Sequence, residues 1–250
     1  MALFAHSFKT RSIVLGCLII CTTGAGAQDT HALQGDLGVA VYRTPAITRT
    51  TDSSTTALPY AYADYGPFYA RINTLGYKTM PLGAGHLEIS ARVTLEGYKS
   101  AQAGIGDRTS PLPIGFGTFQ KTDYGAFFAY SFYDPNSGGH LLDLMYAAKF
   151  RAAGLHFYPQ FGFERRSAKY VQHLYGVSAA EAASSGLASY SAQSSLSPNL
   201  GLTAEYPLAK NLSLTYQVRK KWFDSAVTNS PLVTSKSQTS SFLALTHNFN

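Results

Sequence analysis

The residues of this chain best suited to chemistry are its histidines and the carboxylates near them. His140 precedes Asp143 by three positions, and an imidazole oriented by a carboxylate could serve as a general base in hydrolysis. His86 stands two residues before Glu88, and His156 shares an alternating segment with Glu164. The pattern stops there. No His-x-x-x-His pair or His/Cys cluster gives metal-ligand spacing, and no Gly-x-Ser-x-Gly elbow presents a nucleophile. A solvated pair at a strand end is the simpler account of His140 and Asp143. The expectation is a non-enzymatic protein with no catalytic residues, metal or cofactor.

The elements that carry these residues have period two. Over 86–98, Leu87, Ile89, Ala91, Val93 and Leu95 point one way, while Glu88, Ser90, Arg92, Thr94 and Glu96 point the other. The same alternation recurs over 153–165, 195–206 and 211–222, and less cleanly over 33–43, 56–65, 67–77, 122–133, 140–150 and 239–249. These are ten candidate strands of about ten residues each, the length a tilted strand needs to cross hydrocarbon. Short connections at 66–67, 151–154 and 207–210 mix with long ones at 44–55, 166–194 and 223–238. Short periplasmic turns and long outer loops characterise transmembrane barrels. The long 99–121 stretch breaks this alternation, because parity asks for a periplasmic turn there. Either it is a genuine periplasmic feature, and a contact point for partners, or the count is short and twelve strands are possible.

The amino terminus reads as an export signal. Lys9 and Arg11 precede an apolar run over 13–21, and Ala25-Gly26-Ala27 is an A-x-A cleavage site. Residues 1–27 are therefore expected to be a cleaved signal peptide and 28–250 an outer-membrane β-barrel domain. Both cysteines, Cys17 and Cys21, fall in the leader, so the remainder has no disulfide and no thiolate metal site. The net charge of +6 is scattered along the chain, with no basic run longer than Arg219-Lys220-Lys221, so no block suggests nucleic-acid binding. Seventeen Tyr and fifteen Phe against one Trp, spread along short alternating segments, suit interfacial girdles facing outer-membrane lipid. A soluble periplasmic β-sandwich would also alternate, but long loops between tight turns suit it less.

With apolar faces toward lipid, the charged faces line a lumen. The inward set is Asp36, Arg71, Glu88, Arg92, Glu96, Asp123, Asp143, Lys149, Glu164, Glu205, Arg219 and Lys221. Within it, Glu88, Arg92, Glu96, Glu205, Arg219 and Lys221 form the candidate charge network. Mixed signs favour ion pairs that stopper a narrow barrel, and the alternative is a small selective pore. Within the long 166–194 connection, Ser178 and Glu181 have capping-box spacing for a short helix over 179–185 that Gly186 would stop.

That same connection carries a recognisable string. Tyr170, Tyr175-Gly176-Val177-Ser178, an Ala-rich turn, Ser185-Gly186-Leu187 and Tyr190 resemble the MipA/OmpV family of outer-membrane proteins. Asp224-Ser225-Ala226 and Asn229 to Val233 resemble its segment before the last strand, and Gly104 to Asp107 fits more loosely. His247 and the terminal Asn250 depart from the family's aromatic ending. The resemblance implies a β-barrel in the outer membrane of a Gram-negative bacterium. It further implies a scaffold that ties a lytic transglycosylase to a bifunctional penicillin-binding synthase in peptidoglycan remodelling. Porin and surface-interaction roles are the family's other readings. It carries no catalytic residues onto this chain.

Overall fold

A computed structural model describes residues 32–249, and the leader expected at 1–27 lies outside the described residues. The strands are β1 (Leu33–Thr44), β2 (Ser54–Tyr65), β3 (Phe68–Arg71), β4 (Thr74–Leu82), β5 (Gly85–Arg92), β6 (Ile114–Thr122) and β7 (Gly125–Asp134). They continue with β8 (Gly139–Ala148), β9 (Phe150–Ala152), β10 (Leu155–Arg166), β11 (Ser195–Ala209), β12 (Leu212–Trp222) and β13 (Ser237–Phe249). Each is antiparallel to its neighbours; β13 pairs with β1 and β10 with β11, which closes the sheet on itself. β9 continues β8 past Lys149 and pairs with the same neighbour, so the wall has twelve strands.

Closure is what lets such a chain sit in lipid. Hydrocarbon offers no hydrogen bonds, so the backbone must satisfy itself around the ring. Side chains follow the pleat. Val39, Ile89, Phe116, Phe161 and Leu243 are exposed on the outer surface, while Tyr60, Glu88, Ser90 and Thr246 are buried on the inner one. Near the rim with the tight turns, outward aromatics meet in pairs: Phe68 with Tyr77 at 5.2 Å and Phe127 with Tyr146 at 4.6 Å. Such girdles mark the membrane–water boundary.

The tight turns 66–67, 83–84, 123–124, 153–154 and 210–211 share one rim with both ends of the wall. The long connections 45–53, 93–113, 167–194 and 223–236 occupy the other. This corrects the reading of 99–121 as a periplasmic loop. Residues 114–122 are strand β6, and 93–113 belongs to the long-loop rim, where Ala101 N–H donates to Thr50 C=O at 2.8 Å. The segment 67–77 is likewise not one strand. It turns at Ile72-Asn73 and splits into β3 and β4, and with β6 the count rises from ten to twelve. Ile72 takes φ 59°, a conformation disfavoured for a β-branched side chain, so no familiar turn signal marks this hairpin.

Candidate functional site

The charged inner face converges beneath the long-loop rim. Arg92, the last residue of β5, donates to Asp143 on β8 at 2.7 Å, and its guanidinium lies 4.7 Å from the Phe132 ring centre. Lys221 on β12 reaches Glu164 on β10 at 2.9 Å, spanning the intervening β11. Arg166 ends β10 and is 3% exposed; its Nε donates to the same Glu164 at 2.7 Å, and its other arm grips Glu96 from the 93–113 loop. The chain Lys221–Glu164–Arg166–Glu96 therefore joins the barrel wall to a loop. Lower down, Glu88 accepts from Tyr130 Oη at 2.8 Å and pairs with Arg71 at 3.5 Å. Glu205 lies within 3.5 Å of Tyr158 and 3.3 Å of Ser213.

Four of the six residues of the candidate network thus hold ion pairs in the lumen. Glu205 holds hydrogen bonds only. Arg219 differs again: it donates to Gln160 Oε1 at 2.7 Å and approaches Met145 Sδ at 3.5 Å, while its Nε has no partner among the described residues. Asp123 and Lys149 lie at the tight-turn rim and hold no ion pair among the described residues. Asp123 sits in the 123–124 turn and Lys149 in the break between β8 and β9, both exposed. Arg166 was missed because 153–165 stopped one residue short. Continuing the alternation from Glu164 by two positions finds it. His140 and Asp143, three apart on β8, point to opposite faces; the His140 ring meets that of Tyr133 at 5.3 Å, tilted by 55°, on the outside while Asp143 pairs with Arg92. They cannot act together.

Above the network the loops form a cap. Helix α1 (Ala168–Tyr175) lays Tyr170, Val171 and Leu174, each 0% exposed, on Phe132 and Leu141 of the wall. Helix α2 (Ala179–Ser185) begins at Ser178 with a reciprocal capping box to Glu181 and ends at Gly186 in the left-handed region, φ 74°. The short helix α3 (Ser225–Thr228) is capped by Asp224, which also accepts from Leu196 N–H at 2.7 Å.

The string Tyr170 to Tyr190 is the joinery of this cap. Tyr170 Oη reaches Glu96 at 3.3 Å, and Val177 bridges to Tyr190, whose hydroxyl donates to Ala226 C=O at 2.8 Å. Ser230 Oγ donates to Tyr175 C=O at 2.6 Å, and Gly176 C=O accepts from Arg108 at 3.0 Å. A Cβ on Gly176 would fall 2.0 Å from Gln172 Nε2. Ser185 Oγ accepts from Leu187 N–H at 3.3 Å, and Leu187 packs with Ile105, Val177 and Leu232. Glu181 is the hub. Burial alone would raise its pKa, but hydrogen bonds from Ser178 N–H, Arg108 and Gly106 N–H outweigh it and hold the carboxyl at about 2. Among the described residues no group of three His, Cys, Asp or Glu side chains could hold a metal ion.

The family model described as MltA-interacting protein MipA matches residues 37–249, nearly the whole described barrel. The MltA-interacting protein of Escherichia coli (strain K12) is 27% identical over 234 residues, covering 90% of this chain and 93% of that protein. YiaT of the same strain, named as an outer membrane protein, is 27% identical over 190 residues, covering 73% and 77%. Among solved structures, the outer membrane channel DcaP of Acinetobacter baumannii aligns with 87% of this chain and 96% of its own at 8% identity, with a TM-score of 0.37. A closed twelve-stranded wall with a lipid-facing apolar surface, matched by the family along its length, makes this chain a member of the MipA family, an outer-membrane β-barrel protein of Gram-negative bacteria.

Proposed function

We propose that the protein is a non-enzymatic scaffold of the outer membrane that holds a murein hydrolase of the lytic transglycosylase type beside a bifunctional penicillin-binding synthase. The observation that carries this reading is the similarity, over 90% of the chain, to a protein named for its interaction with MltA. The stoppered upper lumen supports it, because a wall tied to its own loop cap by Lys221, Glu164, Arg166 and Glu96 suits a platform better than a conduit.

Periplasmic partners must meet the tight-turn rim. Exposed there are Lys121, Asp123, Lys149, Arg151 and Lys210, a predominantly basic set that suits an acidic partner surface. Affinity capture from envelopes tests the proposal: the hydrolase and the synthase should both come with the protein. A narrow channel is the second reading, and Arg219 favours it, being an inward guanidinium with no carboxylate in ion-pair distance among the described residues. That reading requires single-channel current that changes in Arg219→Gln.

A further inference from the structure

The barrel wall has a lateral slot. β2 runs from Ser54 to Tyr65, but its neighbour β3 has only four residues and pairs with Tyr62 to Tyr65 alone. Above that hairpin, backbone groups on β2 that point away from β1 have nothing to meet. Ala61 C=O, accepting from Ile72 N–H at 2.7 Å, fixes which residues these are. Alternation assigns Thr55, Ala57 and Pro59 to the same edge, all exposed and without a backbone partner on that side among the described residues. Pro59 has no N–H to strand there, which suits an edge position.

Four elements frame the slot, β2 being the first. Its sill is the Ile72-Asn73 turn, bound to β2 through Ile72 and to the far side through Val93 N–H on Asn73 C=O at 2.8 Å. Its lintel is the hydrogen bond from Ala101 N–H to Thr50 C=O. The side facing β2 is the segment 93–96. The alternation of β5 continues into it, with Val93 50% and Leu95 66% exposed. No ladder accompanies it, because β4 begins below at Thr74 and β6 starts at Ile114, opposite Ala91. Leu95 N–H and C=O have no partner among the described residues.

Depth and lining identify what the slot faces. Val39 and Val41, outward on β1 opposite Pro59 and Ala57, are exposed at the same height, so the slot opens at the level of lipid chains. Its inner lip is apolar: Tyr60, Phe242 and Ala40 are buried there, with Tyr42 and Ile72 packed against them. Tyr42 and Tyr60 rings lie 5.1 and 5.7 Å from that of Phe242.

We propose that this slot is a lateral gate that admits a single apolar chain of an outer-leaflet amphiphile to the cluster of Tyr42, Tyr60, Ile72 and Phe242. The gate closes when Leu95 pairs with the free β2 edge. The segment 93–96 continues β5, runs antiparallel to β2, and presents its outward residues on the same side. In the closed state β2 and β5 become neighbours above the hairpin. The inference is independent of the scaffold reading.

Two double variants, Ala57→Cys/Leu95→Cys and Pro59→Cys/Leu95→Cys, cover the two adjacent registers in a Cys17→Ser/Cys21→Ser background. Val41→Cys/Leu243→Cys, outward partners already in register, is the folding and oxidation control. Envelopes are photolysed with a diazirine-bearing palmitate, and labelled residues are mapped by mass spectrometry. The expected result is that one double variant crosslinks. Its reduced form is labelled at Tyr42, Tyr60 or Phe242, and its oxidised form loses that labelling while outward Val39 and Val41 stay labelled. The inference is overturned if the control crosslinks and neither double variant does, or if labelling of the inward residues is absent or unchanged by oxidation.

Discussion

The Arg108 guanidinium donates to Glu181 across 2.8 Å, and this pair clasps two connections that are 73 residues apart in sequence. Glu181 also closes its own helix cap through Ser178 and takes the Gly106 N–H at 3.1 Å. One carboxylate therefore ties the 93–113 loop to the 167–194 connection.

That arrangement makes the cap acid-sensitive. The Glu181 carboxyl is held at about 2 in the fold against a usual value of 4.5. Its contribution is therefore complete above about pH 4.5 and is lost as pH falls through about 2. Amide exchange over 178–186 should accelerate across that window while the β1–β13 ladder stays protected. In Glu181→Gln the 178–186 amides should exchange fast at every pH. A wild-type profile with no acid limb would contradict the role of this carboxylate.

Glu164 faces two cations, Arg166 and Lys221. Replacing it with Leu leaves Lys221 without a carboxylate and Arg166 with Glu96 alone. Breaking a buried pair by removing one partner costs about 3–5 kcal/mol. Glu164→Leu should lower the temperature at which the barrel loses its heat-modifiable mobility on a gel. The double variant Glu164→Leu/Lys221→Met, which keeps Arg166 on Glu96, should regain most of that loss.

Gly117 on β6 lies beneath the Tyr130 ring, and a Cβ there would sit 2.1 Å from a ring carbon. Gly117→Ala must push Tyr130 aside and with it the hydrogen bond to Glu88. Overpacking of this kind costs about 1–3 kcal/mol. Urea titration should show a lower midpoint for Gly117→Ala, and a smaller shift for Tyr130→Phe, which keeps the ring in place.

The sequence made the architecture legible where alternation was clean. β10, β11 and β12 stand where their patterns put them, β5 follows its 86–98 pattern only as far as Arg92, and α2 spans Ala179–Ser185 between the expected cap and stop. Two elements were hidden for physical reasons. β6 carries glycine at two of its inward positions, Gly115 and Gly117, which weakens the contrast that marks a strand, and Gly117 clears space for Tyr130. The β3–β4 turn uses Ile72 at positive φ, so its sequence gives almost no turn signal. Both omissions shifted parity, and parity alone had assigned 99–121 to the periplasm. The pairing of Arg166 with Glu96 joins a strand end to a loop, and no periodicity within one segment reports such a contact.

The central claim is that the barrel serves periplasmic partners through its tight-turn rim. The most direct measurement is affinity capture from envelopes with the wild type, a Lys149→Glu/Arg151→Glu/Lys210→Glu variant, and an Arg108→Ala variant that loosens only the outer cap. The account predicts that a murein hydrolase and a murein synthase accompany the wild type and Arg108→Ala. Both should be lost from the charge-reversed rim while that variant remains folded. Capture of neither enzyme by the wild type, or equal capture by the charge-reversed rim, would contradict it.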